Sequence, residues 1–304
     1  MKIFDSDLNL VNLQDASVKG HLCDTFVFTR FNLKLWKTNK FGVDTRTHEW
    51  TADRFDMFEK FCFPSMLHQT DKNFIWMCMF ADDTEECFIE RIRGGIRQFS
   101  QFIPVFLSEQ ETKNLNEAID SFIRKFKSPS GTLITSRIDN DDAVNISYIE
   151  IMHKLSRNQQ GGDCIYSMER GLQYYVKKNL AFAIKYPDNH YLFLKCNKYD
   201  ENNIHHVLTF NHSKIKEFKY PFKLISGLDY MWVEVIHENN VANDVKLTLN
   251  QKPIVDRQLM QKKFNWNVEL SNYGVSSYFT FILPRIAHLV FLKIRKRILN
   301  KTHY

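Results

Sequence analysis

Apolar and polar positions alternate with two different periods along the first half of the chain. CDTFVFTRF (23–31) reads as a strand, and between Thr51 and Gln69 the residues Phe55, Phe58, Cys62, Met66 and Leu67 fall on one helical face. FIWMCMF (74–80) is a continuous apolar run suited to a central strand covered on both sides, and it stops abruptly at ADDTEE. A helix follows from about Thr84, then a short strand FIPVFL (102–107). In KNLNEAIDSFIRKF (113–126) Leu115, Ala118, Ile119, Phe122, Ile123 and Phe126 recur at helical intervals. SPSG interrupts that pattern, and GTLITSRI (131–138) gives a fourth strand.

Strands and helices taking turns predict an α/β fold with a mostly parallel central sheet and helices on both faces. Ligands of such sheets bind outside the carboxyl ends of the strands. Three polar clusters stand at those ends: Thr29 and Arg30 after the first strand, Asp82 and Asp83 after the second, and Asp139, Asp141 and Asp142 after the fourth. From about residue 161 the pattern changes to short aromatic and β-branched runs, DCIYSM, GLQYYV, LAFAIKY, HYLFLKC and MWVEVIH, which read as antiparallel strands. The chain thus divides into a ligand-binding half over about 23–160, a strand-rich half over about 161–245, and an extension over 246–304.

The length of 304 residues and a hydrophobic content of 44% support a full core. A net charge of +6, much of it near the C-terminus, does not indicate a nucleic-acid groove. Six scattered cysteines without a C-x-x-C pair read as free thiols of a reducing compartment. MKIFDSDLNL lacks the basic flank and apolar run of a signal peptide, so residence in the cytoplasm is expected.

RIDNDDA (137–143) is the densest charge feature at a strand end. One reading is the capping of a helix starting near Val144, where aspartates favour the positive end of the dipole. A cap needs one aspartate, and three on a tight turn repel one another. The functional reading is a cradle for Mn²⁺ or Mg²⁺, hard cations that take carboxylate oxygens and bridge the phosphates of a nucleotide diphosphate. Asp82 and Asp83 either cap the helix from Thr84 or meet a nucleotide base or ribose. Arg30 and Arg137 either contact phosphate or pair with these carboxylates.

FTRFNL (28–33), FEKFCFPSMLHQT with FIWMCMFADDT (58–84), SRIDNDDA (136–143) and MWVEVIHENNVAND (231–244) keep order and spacing over roughly residues 25–245. In these blocks the chain resembles nucleotide-sugar-dependent glycosyltransferases of the GT-A (Rossmann-like) fold, and more closely a bacterial group of rhamnosyltransferase-type proteins. The resemblance implies that Asp139 and Asp141 flank the metal and diphosphate with Asp142 nearby. It implies that Asp82 faces the base or ribose beside Thr29 and Arg30, and that His237 is a late metal ligand or diphosphate contact. The Glu-Asp pair and the Gln-x-x-Arg-Trp motif of many inverting GT-A enzymes are missing, which leaves Asp229 and Glu234 as candidate bases.

FILPRIAHLVFLKIRKRILNKTHY ends the chain with basic residues and large aliphatics but no acid. Its apolar run is short of the ~20 residues of a membrane span, and residues 285–301 read as a basic amphipathic helix, either on an anionic membrane or packed on the domain. The expectation is a metal-dependent glycosyltransferase moving a hexose or deoxyhexose from a nucleotide diphosphate sugar to a saccharide or lipid-linked saccharide acceptor. Two alternatives use the same residues: nucleotidyl transfer, or a non-catalytic nucleotide-binding scaffold.

Overall fold

A computed structural model describes residues 1–17, 22–157, 162–210, 220–237 and 253–271, except positions 36, 37, 39–41, 43 and 46, together with positions 283, 284, 287, 290 and 291. Four strands form the parallel centre: β3 (Thr25–Arg30), β4 (Ile75–Ala81), β5 (Phe102–Leu107) and β6 (Leu133–Arg137). They stand in the order β6-β3-β4-β5. The chain therefore builds outward from β3 to β5, then crosses back to lay β6 on the other side of β3. That reversal opens a crevice at the carboxyl ends of β3 and β6. Outside β5 the sheet gains antiparallel β1 (Lys2–Phe4) and β2 (Leu10–Asn12). Beyond β6 it gains antiparallel β11 (Phe193–Cys196), then β8 (Cys164–Met168) and β12 (Phe222–Ile225), for nine strands among the described residues.

β4 shows why the pattern FIWMCMF becomes a central strand. Trp76, Cys78 and Phe80 point into one core with Phe55, Phe58 and Phe88, while Ile75, Met77 and Met79 point into another with Ile119, Phe122 and Ile123. The first core lies under α1 (His48–Met57), α2 (Phe63–Leu67) and α3 (Glu86–Gln98); the second lies under α5 (Leu115–Phe126), which follows the short α4 (Glu109–Lys113). Helices cover both faces, as the alternation implied.

Between α1 and α2 the backbone makes a π-helical turn, Phe58–Cys62. Phe58 and Cys62 remain against the large sheet, whereas Phe61 turns to a third core with Tyr174 and Trp266. That core belongs to a second sheet in the order β14-β10-β9-β13-β7: β14 (Pro253–Ile254), β10 (Leu180–Lys185), β9 (Arg170–Tyr175), β13 (Trp232–Ile236) and β7 (Ala143–Val144). Met260 and Phe264 of α7 (Arg257–Phe264), followed by Trp266, Val268 and Leu270, fill the same core. Residues 253–271, expected in an extension, are thus packed into the body.

The helix expected from near Val144 begins later: α6 (Tyr148–Arg157) follows the two-residue β7. Asn145 makes the intervening corner, its side chain accepting from the Ser147 amide at 3.0 Å and donating to Tyr230 O at 2.8 Å. The expected C-terminal basic helix over 285–301 lies outside the described residues apart from three positions. All six cysteines are unpaired, and only Cys87 is exposed.

Candidate active site at the carboxyl ends of the central strands

The turn after β6 is fastened from below. The Ile138 amide donates to Phe28 O at 3.0 Å, and Thr29 Oγ1 donates to Ile138 O at 2.9 Å while accepting from Trp76 Nε1 at 2.9 Å. Asn140 Nδ2 donates to Phe31 O at 3.1 Å, and the Asp142 amide donates to Asp139 O at 3.2 Å. The turn then enters β7, which pairs antiparallel with β13, so it joins the two sheets. No helix starts at these aspartates, and the capping reading fails on that ground.

The three carboxylates have different surroundings. Asp139 is the open one, its side chain 35% exposed, with Arg137 Nη2 and His190 Nε2 each at 3.6 Å. Burial works to raise its carboxyl, but Arg137, His190 and Arg30 together hold it below the usual range. Asp141 is buried; its Oδ2 accepts from Arg54 Nη1 at 2.6 Å and lies 2.9 Å from His237 Nε2. Against the effect of burial, Arg54 and His237 keep it ionised well below the usual range. Asp142 is completely buried, with Tyr191 Oη donating at 2.6 Å, the Val235 amide at 2.8 Å, and His190 Nε2 at 3.0 Å. Burial and the charges of Asp141, Asp139 and Glu234 push it well upward, opposed by the Tyr191 hydrogen bond.

Other residues expected at the site fall in several places. Thr29 cannot reach a base or ribose: it is fully buried and its hydroxyl is spent on Ile138 and Trp76. Arg30 and Arg137 flank Asp139, and the buried Nε of Arg137 has no hydrogen-bond partner. Asp82 and Asp83 are exposed at the end of β4, Asp83 in an ion pair with Lys34. Neither caps α3, whose N-cap is Glu85. Asp229 is exposed and ion-paired to Lys263 at 2.7 Å; partial burial is outweighed by that bond and by the Tyr230 amide, so its carboxyl is lowered. Glu234 is buried and accepts from Gln173 Nε2 at 2.6 Å. Neither is an open base: one is neutralised by a lysine, and the other is closed to solvent.

Arg54, Asn140, His190 and Tyr191 complete the cluster without having been marked by the sequence pattern. Arg54 holds both Asn140 and Asp141 from α1, and Tyr191 stacks on Trp232 with ring centroids 4.8 Å apart. NHYLF carries an imidazole and a phenol just ahead of β11, a polar intrusion in an apolar run and the local signal that could have marked His190 and Tyr191.

The donors present fit a divalent cation. Ligand atoms of Asp139, Asp142 and His190 all lie within 4.8 Å of one another, whereas Asp141 and His237, expected beside Asp139 as ligands, are turned to each other at 2.9 Å with Arg54 on the same carboxylate oxygen. Carboxylate oxygens with imidazole nitrogen suit Mn²⁺ at least as well as Mg²⁺.

A parallel centre whose strand order reverses at an acidic turn, extended by an antiparallel strand and backed by a second small sheet, defines an α/β protein of GT-A-like architecture. The family model described as "Putative rhamnosyl transferase" matches residues 46–248, more than half of the chain, and the protein belongs to that glycosyltransferase family. No curated protein sequence matches it. Similar solved structures include S. aureus TarS 1–349, at 8% identity and a TM-score of 0.40 over 70% of this chain and 60% of that one. TarS 1–349 in complex with UDP has a TM-score of 0.39, with the same identity and coverage. The chain thus spans 60% of the length of these neighbours. Among the described residues no helix is long and apolar enough to cross a membrane.

Proposed function

We propose that the protein is a metal-dependent hexosyltransferase. It moves a hexose or deoxyhexose from a nucleotide diphosphate sugar to a hydroxyl of a saccharide or lipid-linked saccharide in bacterial surface polysaccharide or lipopolysaccharide synthesis. The carrying observation is the turn at the strand-order reversal, where one open carboxylate, Asp139, is backed by two buried ones and flanked by Arg30 and Arg137.

Asp139 would hold Mn²⁺ or Mg²⁺ together with Asp142 and His190, whose ligand atoms lie within 4.8 Å of one another; Asp141 and His237, the partners expected from the sequence, are engaged with each other and with Arg54. When bound, the cation supplies Lewis-acid neutralisation of the charge on the leaving diphosphate. The chain's own groups do the rest. Arg30 and Arg137 set positive charge beside the open carboxylate, where phosphate oxygens gain charge-assisted hydrogen bonds. Arg54 fixes the Asp141 carboxylate so that it does not rotate away from the crevice. Tyr191, His190 and the Val235 amide lock Asp142, which keeps the turn tied to β13. Transfer inverts the anomeric centre, with Asp229, once released from Lys263, taking the acceptor proton.

Calorimetry with UDP, dTDP and GDP, with and without Mn²⁺, tests this reading. The expected result is Mn²⁺-dependent binding of one nucleotide, weakened by about tenfold or more in Asp139→Ala. With the matching sugar donor the product is free nucleoside diphosphate, and the anomer formed reports the stereochemistry. Release of pyrophosphate, or nucleotide binding indifferent to Mn²⁺ and to Asp139, would sink the proposal.

A further inference from the structure

A second group of metal-type donors lies at the same edge of the sheet, outside the aspartate cluster. His48 opens α1, and Glu85 and Cys87 lie at the start of α3. Ligand atoms of the three lie within 4.8 Å of one another, and all three residues are exposed. His48 Nδ1 stands 2.9 Å from Glu85 Oε2, a separation that both a hydrogen bond and a shared cation produce. The His48 ring rests on Phe88 at a centroid distance of 5.1 Å, which limits its orientation.

Three features set these residues apart from an ordinary pair of surface charges. Glu85 occupies the N-cap position of α3, yet its side chain makes no capping bond and turns to His48 instead. Cys87 is the single exposed cysteine of six, against five buried ones. The donors come from two different elements, so a shared ligand would tie α1 to α3.

We propose that His48, Glu85 and Cys87 form a binding site for a zinc-class cation, distinct from the crevice. The donor set differs in kind from that at Asp139 and Asp141. A thiolate, an imidazole and a carboxylate form a borderline-soft tetrahedral set with one position left for water, the chemistry of Zn²⁺ rather than of Mg²⁺. Binding forms the metal–sulfur bond and releases the Cys87 thiol proton to solvent, with His48 neutral and Glu85 ionised. The consequence is mechanical. α1 carries Arg54, which holds Asp141, and the segment before Glu85 carries Asp82 and Asp83, so the cation would clamp two rims of the crevice to each other.

The test uses the full chain stripped with chelator, titrated with ZnCl₂ by calorimetry and with Co²⁺ by absorbance. Wild type and Asp139→Ala are both expected to take up a zinc ion with proton release, and the Co²⁺ form is expected to show a thiolate charge-transfer band in the near ultraviolet. Cys87→Ser and His48→Ala are expected to lose the band and to bind zinc at least about tenfold more weakly. His48 and Cys87 are exposed, and equal melting temperatures in chelator verify that all the variants fold. Undiminished zinc binding in Cys87→Ser, absence of the thiolate band, or loss of binding in Asp139→Ala would each overturn the site; the last would assign the ion to the crevice.

Discussion

His206 is completely buried against Phe28, with Nδ1 accepting the Leu208 amide at 3.3 Å and Nε2 facing Asp120 Oδ1 at 3.6 Å without a hydrogen bond. Burial, with His205 close by, pushes the imidazole down to about 4, and burial pushes the Asp120 carboxyl up. Desolvation therefore outweighs the attraction between the two, and neither gains from becoming charged. Because the imidazole is held neutral in the fold, it favours the unfolded chain in acid. Neutral His206 contributes stability that is complete above its unfolded value near 6.5 and is lost as pH falls toward about 4. Full loss corresponds to about 3 kcal/mol, since a tenfold change in proton affinity is worth about 1.4 kcal/mol. His206→Asn keeps an acceptor for the Leu208 amide and cannot titrate. Urea unfolding from pH 7 to pH 4.5 should show the wild type losing stability more steeply than this variant. Parallel slopes would mean that His206 is already charged in the fold. The crevice uses the opposite solution for Asp141, whose carboxylate Arg54 and His237 hold below the usual range, whereas burial pushes Asp142 upward as it does Asp120. Removing such partners singly leaves a buried charge exposed to the full desolvation cost.

At the level of elements, β9 and β13 run side by side, and Gly171 of β9 lies directly beneath Trp232 of β13. A Cβ at position 171 would stand 2.2 Å from the indole ring, closer than any real contact. The indole has little room to yield, because its other face stacks on Tyr191 and its Nε1 donates to Met168 O at 2.8 Å. Gly171→Ala should therefore destabilise by about 3 kcal/mol, the upper range for overpacking, and loosen Tyr191 on Asp142. Thermal melting and the Tyr191-dependent order of the turn, read by amide exchange at Val235, check both parts; a melting point indistinguishable from wild type would refute the clash. The same strands separate what is local in the sequence from what is not. The five aromatic runs from DCIYSM to MWVEVIH became β8, β9, β10, β11 and β13, because alternation and flanking turn residues are local. Which sheet each strand joins was not legible: β8 and β11 extend the large sheet, whereas β9, β10 and β13 build the second. That choice depends on long-range packing, such as Phe61 in a helix meeting Trp266. The site divides the same way. RIDNDDA announces itself within seven residues, but Tyr191 and Arg54 meet it across sequence separations of 49 and 87 residues, and the spacing of neither one marks it.

For the whole molecule, the described core runs to residue 271. Trp266 Nε1 donates to Phe61 O at 2.9 Å, Val268 and Leu270 are buried, and Ser271 bonds to the backbone of Lys178 and Asn179. The family match ends earlier still, at residue 248. The segment beyond 271 holds six of the chain's lysines and arginines between Arg285 and Lys301, without an acid. Val290 and Phe291 are exposed there, at 49% and 60%. Large exposed apolar groups among basic ones are the composition of a segment that rests on an anionic lipid surface. At about 1 kcal/mol per basic residue near such a surface, half of them would supply roughly 3 kcal/mol, enough for reversible binding that salt weakens. A chain ending at Ser271 should fold with an unchanged melting temperature and bind nucleotide as the full chain does. Sedimentation with vesicles is the discriminating measurement. The full chain should pellet with vesicles containing an anionic phospholipid, less so at high salt, and not with neutral ones, while the truncated chain should stay in the supernatant throughout. Equal pelleting of both forms would place any membrane contact on the folded body and leave the basic tail without that role.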